Sequence, residues 1–359
     1  MYARPGIQKV KQLLLITILF SLVALGAGPG TAQQNEPTGV KSAPPTNVIL
    51  QPIQVVYQQV EGTYLKSPRG IWVDRNNDEV YVADTSNDLV AVFNATGLPL
   101  FAFGYNRELK EPVKAVADAS GRIYVLNGIP RAVKIFNYRG EYLKDFPLAG
   151  GADKPNPTAL ALDHNGNIYI AEGSSRQIQV YDSALRLIRE IGKKGDGDSH
   201  LNTVQGIAVD TDGTVYVADA TATPCIQVFS AEGKFLRGWG EHNAGPHNFS
   251  LPAGVAIDGE GRIIVADTLR HAITVFTKEG VYLGRHGGMG SQPGAVSFPT
   301  DIATDGKERV YVVERLGSRL QVWEEKNVVV RRRASAPSSP SPMRGQIQKG
   351  LNDVMKEMK

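Results

Sequence analysis

The chain has 359 residues, 42% of them hydrophobic and 21% charged, a globular composition long enough for two ordinary domains or one large domain built from repeats. Its single cysteine, Cys225, excludes an intramolecular disulfide, and the absence of Cys-x-x-Cys-His excludes covalent haem attachment, so Cys225 reads as a buried thiol in a core strand. The formal net charge of +3 is carried by the ends, with Arg4, Lys9 and Lys11 at one and Arg331, Arg332, Arg333, Arg344, Lys349, Lys356 and Lys359 at the other; the body between is mildly acidic and ill suited to displace counterions from nucleic acid.

In chain order, the first three positive charges precede an apolar run, LLLITILFSLVALGA (13–27), and the small residues Gly30-Thr31-Ala32. This pattern predicts a cleaved secretory signal over 1–32, and hence an exported protein of the periplasm or the extracellular space. A retained anchor is the competing reading, but the run falls short of the roughly 20 residues that span a bilayer. No cysteine lies near the cleavage point, which excludes a lipoprotein anchor. Residues 33–46 read as a disordered linker.

From residue 47 to 330 the chain repeats itself. Pro68, Pro112, Pro157, Val204, Pro252 and Pro299 stand in register at steps of 44 to 48 residues, the period of a propeller or solenoid. Each copy opens with a short apolar strand ending in Asp (Asp74, Asp118, Asp163, Asp210, Asp258 and Asp305), followed by turns such as DASG, DHNG and DTDG, whose residues bond their own backbone or tolerate positive φ. A second strand follows, as in VYVAD (80–84) and IIVAD (263–267), too short and too rich in Val, Ile and Tyr for a helix, with alternation expected to separate inward Val from Tyr between sheets. A third strand ends on an aromatic residue nine positions after the second in five copies, and ten in the fourth, Asp219 to Phe229. A fourth strand completes the unit, as in LPLFAF and KFLRGW. Six units of four antiparallel strands predict an all-β fold, a six-bladed β-propeller.

The sixth copy has no fourth strand of its own after Trp323. PIQVVYQQV (52–60) sits at the right distance before Pro68 to fill that slot, predicting ring closure by an N-terminal strand; the rival is NVVV (327–330).

The recurring P-x-G-[IV]-A-[VI]-D, D-x-x-G and [VI]-Y-V-A-D segments resemble the NHL repeat family over about 65–325. The resemblance implies a propeller and a choice among functions: binding platforms, RNA-binding modules, sensor domains, and lyases or lactonases with a channel metal. Fold alone does not choose. Amidating lyases that resemble this fold place zinc-ligating histidines beside the proline of the inner strand, and here those positions hold Arg69-Gly70, Val113-Lys114, Thr158-Ala159, Gln205-Gly206, Ala253-Gly254 and Thr300-Asp301, without histidine. A calcium lactonase needs convergent Glu, Asn and Asp at the channel mouth, where Asp301 alone is offered. Glu172 and Glu314 read as turn caps.

His200, His242, His247 and His286, in or near loops between blades, and His271 at a second-to-third connection could share one face, yet Gly-rich exposed loops argue for solvated side chains rather than a metal site. GKKGDGDSH (192–200) and HGGMGSQPG (286–294) match no phosphate or calcium motif and read as connectors. No catalytic or metal-binding residue and no cofactor is assigned. The better candidates are departures from repetition: Arg69, Lys114, Gln205 and Asp301 should ring the channel mouth, with Tyr105, Trp239 and Arg315 as neighbours on the same loop face. The competing reading of these groups is a rim of intramolecular ion pairs.

After a Ser/Pro linker, ASAPSSPSP (334–342), the basic tail 331–359 can align Ile347, Leu351, Val354 or Met355, and Met358 on one helical face, suited to a partner or an anionic membrane. Together these features favour an exported binding or scaffold module for a protein, glycan or envelope component, with a channel-metal lyase or lactonase-like hydrolase as the alternative.

Overall fold

A computed structural model describes residues 47–149, 155–195 and 197–328. The signal segment 1–32, the linker 33–46 and the tail 331–359 lie outside them. The described residues form a six-bladed β-propeller of four-stranded antiparallel sheets. Its innermost strands are Gly70–Asp74, Lys114–Ala117, Pro157–Leu162, Val204–Val209, Pro252–Ile257 and Pro299–Thr304. In blade 1 the sheet continues outward through Glu79–Asp84, Leu89–Asn94 and Pro99–Phe103. A two-residue parallel bridge, Lys193–Lys194 with His200–Leu201, ties down the loop between blades 3 and 4.

The repeated aspartates shape the turns. The Asp163 carboxylate accepts the N–H groups of Asn165 (2.9 Å) and Asn167 (2.8 Å), and Asp118, Asp258 and Asp305 hold theirs in the same way. The glycine that follows takes a left-handed conformation, as at Gly213 with φ of +84°, which a side chain would resist. The acidic residue closing the second strand works at the opposite end of the blade. Asp219 accepts N–H groups from Asn202 (2.6 Å) and Thr203 (2.9 Å) before the inner strand, and from Thr221 (3.1 Å) and Ala222 (3.0 Å) after its own strand. One carboxylate thereby fixes two loops. Glu172 does the same with Asn156 and Ser175, and Glu314 with Ser297 and the buried guanidinium of Arg319, so both cap as expected.

The core is divided among the junctions. Six apolar clusters each lie between two adjacent blades, such as Tyr124, Leu126 and Ile135 of blade 2 against Leu160, Ile168 and Ile170 of blade 3. This corrects the expected alternation: second strands such as Ile263–Asp267 are buried along their whole length, because a blade in a closed ring has a neighbour on both faces. The outermost strands are exposed, as in Tyr142–Asp145.

The N-terminal strand Asn47–Val56 is the fourth strand of blade 6, antiparallel to Arg319–Val328. It begins five residues earlier than Pro52, and its register shifts between Pro52 and Gln54, where an edge position tolerates a proline without a ladder N–H. Asn327 and Val328 extend the third strand, so the NVVV alternative does not supply the fourth. Val48 and Leu50 enter the cluster between blades 5 and 6, and Val56 the cluster between blades 6 and 1. The closing strand therefore seals two junctions.

Candidate functional site

The inner strands run side by side around the channel, and small residues allow their approach. A Cβ at Gly70 would overlap the Val113 carbonyl of blade 2, and one at Gly206 the Ala253 carbonyl of blade 5. Where the repeat has Gly there is no room for a side chain, so the neighbouring position carries whatever chemistry the channel has.

At the mouth where the inner strands begin, a cavity of about 310 Å³ opens, and Arg69, Lys114, Gln205 and Asp301 all line it. Arg315 lines it as well. Tyr105 and Trp239 are not among its lining residues. Tyr105 is 63% exposed beyond the outer strand of blade 1, and Trp239 ends the outer strand Phe235–Trp239 with its ring 5.7 Å from that of Phe276 in blade 5. Spacing had placed Trp239 on the rim; its ring packs instead against Phe276 at the end of the third strand of blade 5, Ala272–Phe276.

Two of the four mouth residues engage one another. Lys114 Nζ of blade 2 forms an ion pair with Asp301 Oδ2 of blade 6, with side chains 16% and 9% exposed. The same carboxylate accepts the N–H groups of Ile71 and Ile302, each at 2.9 Å. Asp301 is thus a structural tie joining blades 6, 1 and 2. Lys114 also faces the second cavity, so the pair stands between the two.

Arg69 and Arg315 differ from that pair. Arg69 precedes the inner strand of blade 1, and Arg315 follows Glu314 in blade 6, so they flank the junction where the ring closes. Among the described residues neither guanidinium has a hydrogen-bond or ion-pair partner. The Arg69 guanidinium is held below its ordinary value by burial, then by the positive charges of Arg315 and Arg131, against a smaller pull from Glu111. Gln205 is exposed at the opposite side of the mouth, and Thr158, Thr203, Thr221 and Thr268 line the cavity too, beside apolar residues such as Leu160, Ile207 and Leu251. Sequence reasoning passed over these threonines, although Thr158 stands in the register of Arg69 and Thr268 in that of Arg315.

At the other mouth, where the inner strands end, a cavity of about 810 Å³ is lined by five of the six turn aspartates, Asp74, Asp118, Asp163, Asp210 and Asp258. Their neighbours are engaged: Arg75 reaches from blade 1 to Ile257 O (3.1 Å) and Thr304 Oγ1 (2.9 Å), Lys278 donates to Asp210 (2.6 Å) and Arg122 to Asp118 (2.9 Å). Among the described residues no three His, Cys, Asp or Glu side chains come together closely enough to hold a metal ion. His286 lies within the strand Tyr282–Gly287 rather than in a loop, and His242 contacts the Ala222 carbonyl (3.1 Å). Cys225 is buried, and that burial pushes its thiol up to about 12, too high for a nucleophile at neutral pH. No helix among the described residues is long and apolar enough to cross a membrane.

The NHL repeat family matches at residues 201–229 and 249–276, the first three strands of blades 4 and 5 with the loops leading into them. The chain therefore carries NHL repeats within a six-bladed propeller, as the recurring segments led one to expect. No curated protein matches the sequence at a significant level. Among solved structures, a protein of unknown function from Bacteroides thetaiotaomicron is similar with a TM-score of 0.60 at 14% identity, over 78% of this chain and 76% of that one. Virginiamycin B lyase from Staphylococcus aureus is similar with a TM-score of 0.52 at 14% identity, over 79% and 89%. A gluconolactonase from Xanthomonas campestris is similar with a TM-score of 0.56 at 15% identity, over 79% and 96%. At such identities the likeness is one of fold.

Proposed function

We propose that this NHL-repeat propeller is an exported binding module, taking a protein, glycan or envelope component at the mouth where its inner strands begin. The observation that carries the reading is the cavity of about 310 Å³ lined by residues at which the six copies disagree. A symmetric scaffold acquires a ligand site through such departures, since the repeated residues are committed to turns and junctions. The size lies at the small end of ligand pockets. The basic, apolar and small-residue pattern over 1–32 supports export.

The lactonase and lyase folds among its structural neighbours favour a second reading, a lyase or hydrolase with a channel metal. Elemental analysis of protein purified without chelator separates the two. The binding reading expects no stoichiometric metal, together with capture of an envelope component that Gln205→Trp, filling the mouth, abolishes. Tightly bound metal at one per chain would overturn it.

A further inference from the structure

The other cations lining the channel are engaged: Lys114 with Asp301, Lys278 with Asp210 and Arg122 with Asp118 in ion pairs, and Arg75 with Ile257 O and Thr304 Oγ1 in hydrogen bonds. Arg69 and Arg315 stand apart. They come from two different positions of the repeat, on adjacent blades, and they face one cavity. In the other copies the Arg69 position holds Val113, Thr158, Gln205, Ala253 and Thr300, and the Arg315 position holds Thr85, Gly128, Gly173, Ala220 and Thr268. Threonine at the latter position has a structural role, with Thr85 and Thr268 donating to Pro112 O (2.8 Å) and Pro299 O (2.7 Å) of the next blade. Arg315 cannot make that short bond, and its guanidinium reaches the cavity instead.

A half-buried cation without an ion-pair or hydrogen-bond partner, beside a second cation, is an unfavourable arrangement that an anion relieves. The negative groups at hand do not relieve it: the pull of Glu111 on Arg69 is smaller than the opposing effect of Arg315 and Arg131, and Asp301 is occupied by Lys114, Ile71 and Ile302. Two guanidinium groups present planar forks that match the oxygens of carboxylate, sulfate or phosphate in bidentate fashion. From this we infer that the ligand of the channel mouth carries an oxyanion, seated between Arg69 and Arg315, with the threonine hydroxyls and Gln205 able to bond its uncharged part. The inference rests on the reading of this mouth as the binding site. The cavity volume limits the bound part to a small molecule or the terminal group of a larger one.

The test titrates the full chain calorimetrically, at low ionic strength, with inorganic phosphate, sulfate, citrate and glucuronate, using glucose as the uncharged control. Saturable binding of at least one oxyanion is expected, weakening as sodium chloride rises. Arg69→Gln or Arg315→Gln should each weaken it by about tenfold or more, as loss of a charged hydrogen-bonding partner does. Arg69→Lys, which keeps the charge and loses the fork, should fall between. The unliganded melting temperature of Arg69→Gln should equal or exceed that of the parent, whereas a structural arginine would lower it. Absence of saturable binding by every oxyanion, or binding indifferent to both glutamine variants, overturns the inference. Should Arg69→Gln fail to fold, the structural role stands and the inference falls with it. Glucose binding that Gln205→Trp blocks and the arginine variants leave intact would keep the mouth as the site while removing the oxyanion.

Discussion

The two mouths of the channel are built from the same six strands and have opposite characters. Where the strands end, the copies agree, and every Asp, Arg and Lys that lines the cavity has a partner in its own turn or on another blade. Where the strands begin, the copies differ, and Arg69 and Arg315 face the cavity without partners among the described residues. Repetition thus concentrates structural duty at one end and leaves the other open to chemistry. The larger cavity is the less promising one, because its charged groups are already engaged in hydrogen bonds and ion pairs within turns and between blades.

This contrast can be broken most severely by opening the ring. A chain starting at Gly62 lacks Val48, Leu50 and Val56, three buried side chains worth about 1.5–3 kcal/mol apiece across two junctions. Its thermal unfolding should lose the single cooperative transition, and an undisturbed calorimetric peak would show that the closing strand is dispensable to both ends. Next in size is Asp219→Ala, which leaves four backbone N–H groups without their acceptor. A loss of about 3 kcal/mol is expected in denaturant unfolding, against no loss for Arg69→Gln; equal losses would erase the distinction between committed and uncommitted charges.

The smallest effect concerns pH at the end where the charges are paired. Glu325 sits beside Asp258 and the Arg262 guanidinium, and burial, followed by the Asp258 charge, pushes its carboxyl up to about 8. In the unfolded chain the group releases its proton near the ordinary value of 4.5. The folded state holds the proton longer, so this contribution to stability is complete below about 4.5 and is lost as pH rises through about 8. The slope is at most about 1.4 kcal/mol per pH unit. Glu325→Gln, which mimics the protonated form, should flatten the decline between pH 6 and 9; a parallel decline in the variant would remove Glu325 as its source.

Much of the fold was legible because its signals are local and repeated. The Asp-to-Gly turns, the aromatic ending each third strand and the missing fourth strand of the last copy appear directly in spacing, and the structure realises each. The register of Arg69, Lys114, Gln205 and Asp301 was legible for the same reason, and all four do face one cavity. Their roles were not. Lys114 and Asp301 neutralise each other across 187 positions of chain, a pairing that periodicity has no means of announcing. Trp239 has the composition of a rim residue but is claimed by Phe276 of the next blade.

By itself, then, the sequence determined the unit: which residues turn, which extend, how many copies there are and where one copy departs from another. These are properties of neighbouring residues, governed by backbone preference and by the alternation of apolar and polar side chains. Only closure of the ring decided which charges of different blades meet, because such pairing depends on distances between blades that share no local segment. Closure made Asp301 a tie, and it left the guanidinium groups of Arg69 and Arg315 facing the same space.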